Sequence, residues 1–141
     1  MFFVMSQDMK KRVLQAGFVE GKIKVLPVSI DVKSIGFYPK HPKKKGVFNI
    51  ISVGRFVEKK GFDDLLKALV IVKRELGSVF KCQLVGGGKL EPKLRAMVRS
   101  LKLEKEVCFD GYMKIEDIIA LMKNMDLFIQ PSKTAKDGDM E

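Results

Sequence analysis

In residues 49–66, NIISVGRFVEKKGFDDLL, an apolar run stops at Gly54 and Arg55, and Lys60 follows five residues after the arginine with Gly61 beside it. These residue types suit the binding of an anion. Glycine at 54 lets the backbone turn sharply and removes a Cβ that would stand in a ligand's way. A helix opening just beyond would point its unbonded N–H groups at the same place. A guanidinium forks across two phosphate oxygens, and an ammonium on a flexible stem adds a movable point charge, so Arg55 and Lys60 together suit a diphosphate. Spacing alone leaves open that both are ordinary surface cations at a strand-to-helix turn.

Other chemistries find less support. A dinucleotide fingerprint that began at Gly86 and Gly88 would need a third glycine where Glu91 stands, and a P-loop would need Ser or Thr where Leu90 follows Gly88 and Lys89. The single histidine, His41, lies in a Pro/Lys-rich stretch, which leaves a His-based metal site or a Ser-His-Asp arrangement without a basis. Asp137 and Asp139 have Asp-x-Asp spacing but fall in an acidic loop that reads as solvated. Cys82 and Cys108 sit in apolar runs that read as strands; two buried thiols without metal spacing point to a reducing compartment.

The elements that must position Arg55 and Lys60 are legible as alternation. Residues 6–18, SQDMKKRVLQAGF, read as a helix capped by Ser6 and closed by Gly17, and residues 22–28, KIKVLPV, as a short strand. The next segment, DVKSIGFYPKHPKKKG, has the prolines, glycines and lysine run of a linker, so a domain boundary is expected near Lys45, between residues 1–45 and 46–141. From VFNIISV onward, strand and helix alternate. Helices are expected over 61–76, 90–101 and 115–124, and strands at VFNIISV, VFKCQLV, VCFDGY and DLFIQP. The fold class is therefore α/β, a Rossmann-like parallel sheet covered by helices. Ligands of such sheets bind at the carboxyl ends of the strands, where Arg55, Gly86, Gly87, Gly88, Gly111 and Ser132 all fall.

The chain has 141 residues, 46% of them apolar and 31% charged, a globular composition without repeats or low-complexity tracts. Net charge is +10, and +7 of it belongs to residues 1–45, where ten Lys or Arg stand against three acids. Such a basic patch suits an anionic substrate, an anionic membrane surface or nucleic acid, or is simply a solvated face. Aromatics do not interleave its cations as a base-stacking surface needs, which argues against nucleic acid. Neither a secretory signal nor a membrane span is evident, so a cytoplasmic protein, at most peripheral on a membrane, is expected.

The ordered segments VLPVSID, VGRFVEKKGFDDLLKAL, LVGGG, LRAMVRSLKLEKEVCFDGYM, IEDIIALMKNMDLFIQPS and DGDME resemble the retaining glycosyltransferases of family 4, which have the two-domain GT-B architecture. The resemblance implies transfer of a sugar from a UDP- or GDP-linked donor to a glycan or lipid-linked acceptor, with retention and with neither metal nor further cofactor. It implies that Gly54, Arg55 and Lys60 hold the donor diphosphate. Gly86 and Gly87 would let the sheet edge approach the nucleotide, Gly111, Tyr112 and Met113 would contact the base, and Ser132 would precede the donor-sugar loop. Glu141 matches the first glutamate of the family's E-x(7)-E motif, the catalytic carboxylate that meets the transferred sugar. On the same resemblance, residues 1–45 are the close of an acceptor domain and 46–141 an incomplete donor domain, an excerpt expected to be inactive alone. Two other readings stand beside it: a nucleotide-binding module that does not catalyse, and a basic nucleic-acid-binding domain.

Overall fold

The computed structural model describes residues 1–29, 31–36 and 46–138. The chain divides into two compact units, residues 1–37 and 38–141. The boundary expected near Lys45 lies outside the described residues, as does His41.

In the first unit, strand β1 (Phe2–Val4), helix α1 (Gln7–Gln15), strand β2 (Ile23–Val25) and a single helical turn α2 (Val32–Ile35) follow one another. The two strands pair in parallel with Phe2 opposite Ile23. Ser6 caps α1, its Oγ accepting the Met9 N–H at 3.1 Å, which satisfies one of the N–H groups a helix start leaves open. The strand expected over 22–28 ends at Val25; Pro27 has no N–H with which to extend a ladder. Among the described residues Val4 and Ile23 are the buried apolar ones of this small unit, and the rings of Phe2 and Phe18 meet edge-on at 4.9 Å.

The second unit carries β3 (Phe48–Val53), α3 (Phe62–Leu76), β4 (Phe80–Val85), α4 (Glu91–Ser100), β5 (Val107–Gly111), α5 (Ile115–Met122) and β6 (Leu127–Phe128). The four strands form one parallel sheet in the order β5-β4-β3-β6. Leu65, Leu66 and Leu69 of α3 and Leu94 and Val98 of α4 pack on Ile50, Phe80, Cys82 and Leu84. Each such leucine contributes roughly 1.5–3 kcal/mol on burial, so this face is the main source of stability.

The order of the strands locates a crevice. From β3 the chain steps outward to β4 and β5, then returns to lay β6 on the other side of β3. The direction of winding reverses there, and the carboxyl ends of β3 and β6 flank the switch point at which open α/β sheets bind ligands.

Two expectations need correction. The last strand covers two residues rather than DLFIQP: its ladder runs from Asp126, whose N–H donates to the Asn49 carbonyl at 2.7 Å, to Ile129, whose N–H donates to that of Ile51 at 2.9 Å. Only Cys82 is a buried thiol; Cys108 is exposed. On β5, Val107 and Phe109 face the core with α3 and α4, so period-two alternation turns Cys108 to the opposite face of an outermost strand. Burial pushes the Cys82 thiol up to about 12.

At the amino end of the sheet, Glu106 holds the elements in register. Its side chain, 3% exposed, accepts from Ser78 Oγ at 2.6 Å and Lys73 Nζ at 2.9 Å. Burial opposes its charge, but these donors outweigh that effect and hold the carboxyl below its ordinary value. Among the described residues no helix is long and apolar enough to cross a membrane.

Candidate functional site

The loops after β3, β4 and β5 meet backbone to backbone. Gly54 N–H donates to the Val85 carbonyl at 2.9 Å, and Gly86 N–H to that of Gly111 at 2.7 Å. Gly86 has φ +128°, and a Cβ there would lie 2.1 Å from the Gly54 oxygen, so only glycine fits. A Cβ on Gly54 itself would make ordinary contacts at 3.5 Å and beyond. Between these two loops, the close approach that demands glycine is thus at 86.

Phe56 anchors the loop after β3. It is fully buried, edge-on to Phe62 at 4.8 Å and to Phe109 at 5.9 Å. Its N–H donates to the Gly87 carbonyl at 2.8 Å and its carbonyl accepts the Leu90 N–H at 3.0 Å. With the neighbouring side chain plugged into the core, Arg55 is left exposed, and among the described residues its guanidinium forms no ion pair. A 3₁₀ turn, Glu58–Lys60, then presents Lys60, whose Cδ and Cε lie 3.5 and 3.6 Å from the place of a Gly54 Cβ. The lysine stem therefore lies across the end of β3, on the same loop as Arg55 and beside the first turn of α3.

The loop after β6 packs on the same turn. A Cβ on Gly61, which has φ +67°, would fall 1.9 Å from the Pro131 oxygen. Lys133 N–H donates to the Lys59 carbonyl at 2.8 Å, and Lys133 Nζ reaches both carboxylate oxygens of Asp63, at 2.8 and 2.9 Å, and one of Asp64. Hydrogen bonds from Lys133 and then Lys67 hold the Asp64 carboxyl below its usual value. Those to Asp63 and then Asp64 raise Lys133 above the ordinary lysine value.

The remaining expected residues lie around this centre. Gly111, at φ +70°, closes β5. Tyr112 is 78% exposed and lays its ring on Gly87, where a Cβ would come within 2.7 Å of Cε2; it covers a backbone rather than filling the core. Met113 is half-buried. Ser132 is exposed and its Oγ accepts from Gln130 Nε2 at 3.1 Å. Glu141 lies outside the described residues. Backbone bonds and close approaches thus join Gly54, Lys60, Gly86, Gly87, Gly111 and Tyr112, while Ser132 belongs to the loop that leans on Gly61. Spacing did not single out Phe56 or Lys133, because neither partner set is local in sequence.

The family model described as Glycosyl transferases group 1 matches residues 37–138. WcaL of Escherichia coli (strain K12), a protein named for glycosyl transfer in colanic acid biosynthesis, is 33% identical over 131 residues, which are 92% of this chain and 32% of its own length. The amylovoran biosynthesis glycosyltransferase AmsK of Erwinia amylovora is 38% identical over 92 residues, 65% of this chain and 22% of its own. Among solved structures, Anabaena HepE in complex with UDP superposes with a TM-score of 0.73 at 25% identity, over 94% of this chain and 38% of that one. The chain spans 22% to 32% of the length of these two relatives.

Proposed function

This chain belongs to the glycosyl transferases group 1 family, and from that premise we propose that the carboxyl edge of its second sheet is the donor half-site of a retaining, GT-B, family 4 glycosyltransferase. The observation that carries the reading is the placement of Arg55 and Lys60 on one loop at the β3/β6 switch point, with Lys60 laid over Gly54 and the N-terminus of α3 beside it.

The difficult step in sugar transfer is electrostatic. As the bond to the anomeric carbon breaks, the departing diphosphate gains negative charge. Cations and helix N–H groups already in place stabilise that charge more in the transition state than in the ground state, and need no reorganisation to do so. In this reading Arg55 forks across the diphosphate and Lys60 follows its moving charge. Gly86 and Gly87 admit the nucleotide against the backbone, and Gly111, Tyr112 and Met113 line the base. Ser132 leads toward the sugar, and Glu141 supplies the carboxylate that meets it. The donor is a UDP- or GDP-linked sugar, a choice supported on the UDP side by the complex of HepE. The acceptor is a glycan or a lipid-linked acceptor, in keeping with relatives named for colanic acid and amylovoran biosynthesis. The +7 charge of residues 1–45 suits approach to an anionic membrane; a full-length protein that ignores anionic vesicles would contradict that part. The domain reading, acceptor remnant to 45 and donor domain from 46, belongs to the same proposal.

The test is thermal unfolding with and without UDP, GDP or ADP, alongside Arg55→Ala. A ligand at a hundredfold its Kd stabilises by about 2.7 kcal/mol, so one nucleotide should raise the melt of the wild type and leave Arg55→Ala unmoved. Equal shifts in both proteins would refute the role of Arg55.

A further inference from the structure

The contacts of Lys133 ask for an explanation that packing alone does not supply. Its backbone and its side chain both grip the segment that presents Lys60: the N–H bonds Lys59 on one side of it, and Nζ bonds Asp63 and Asp64 on the other. Pro131, two residues earlier, abuts Gly61 between them. Two carboxylates in the first turn of α3 favour the helix but oppose any anion brought to its N-terminus. Lys133, 29% exposed in its side chain, is placed to discharge them, with Lys67 sharing Asp64 at 2.8 Å from the solvent side.

We propose that Lys133 is a positioning residue of the donor site: its backbone N–H pins the turn that presents Lys60, and its ammonium neutralises Asp63 and Asp64 so that a nucleoside diphosphate meets a net positive helix end. The inference rests on the donor-site reading above. Lys133 does not touch the diphosphate; it acts through Lys60 and through the field of α3.

Calorimetric titration of the 141-residue chain with UDP, GDP and ADP separates the outcomes. Lys133→Met should weaken binding of the preferred nucleotide roughly fivefold at low ionic strength, since two carboxylates in the first turn of α3 are left without the charge that offsets them against a multiply charged anion. The ratio to wild type should shrink as salt rises to about 0.5 M and screening shortens the reach of the charge. Lys133→Arg should stay near wild type. In Lys133→Met, further replacement of Asp63→Asn and Asp64→Asn should recover most of the lost affinity, although it restores no contact. Wild-type binding that Lys133→Met leaves unchanged would overturn the inference while keeping the donor site. A loss independent of salt and not recovered by the two asparagines would overturn it too, leaving Lys133 a packing residue. Absence of binding by the wild type to all three nucleotides would refute the donor-site reading and this inference with it.

Discussion

Replacing Gly61 by alanine tests whether the loops after β3 and β6 are held by direct backbone contact. The residue has φ +67°, and a left-handed conformation costs a non-glycine residue about 1–2 kcal/mol. In addition the new Cβ would stand 1.9 Å from the Pro131 oxygen, a backbone atom that cannot rotate away. Relief requires the 129–133 segment to retreat by more than an ångström, an overpacking strain of about 1–3 kcal/mol. The retreat also strains the Lys133-to-Lys59 backbone bond, worth about 0.5–1.5 kcal/mol. The expected loss is therefore about 2.5–6.5 kcal/mol in all. Gly111→Ala is the internal control: it has φ +70° but nothing within 4 Å of the new Cβ, so it should lose only the conformational part, about 1–2 kcal/mol. Urea unfolding of both variants, read at constant m, measures the difference. Equal destabilisation would show that Pro131 does not press on Gly61, and the described junction between the two loops would be wrong.

Glu106→Gln should cost about 1.5–3 kcal/mol, because a charge-assisted bond from Lys73 is lost at a nearly inaccessible site; chemical unfolding at neutral pH checks it. The Glu106 carboxyl is depressed below 4.5, so its contribution is present above that value and is lost as pH falls through the lower folded value; stability should be level from pH 7 to 5, fall below 4.5, and fall less in Glu106→Gln. Thiol alkylation followed by mass spectrometry should modify exposed Cys108 in the native protein and buried Cys82 only on unfolding; equal rates would contradict their placement on opposite faces of the sheet. Tyr112→Ala should change stability by less than about 0.5 kcal/mol, since a ring 78% exposed contributes little to the core, and a thermal melt decides it.

The α/β class, the alternation of the second unit and the Ser6 cap are local properties, set by hydrophobic period and capping chemistry, and the sequence by itself determined them. The candidate cations were legible for the same reason: Gly54, Arg55 and Lys60 lie within seven residues, and the turn between a strand and its helix keeps neighbours in sequence neighbours in space. Boundaries were less legible. The strand at DLFIQP shrank to Leu127–Phe128 because strand length is decided by the partner available, here β3 alone. Period-two alternation could place Cys82 and Cys108 on faces, but not say which face the helices would cover.

What only tertiary structure decided is the strand order, and everything that depends on it. Returning β6 to the far side of β3 creates the switch point, brings Pro131 onto Gly61 and carries Lys133 across some seventy residues of chain to Asp63. Likewise the requirement for glycine at 86 is set by the Gly54 oxygen, 2.1 Å from the place of its Cβ, an atom that belongs to the neighbouring strand's loop. Spacing along one chain carries no information about such distant partners; they are selected only when the whole sheet closes over its core and each loop finds which neighbour it must accommodate.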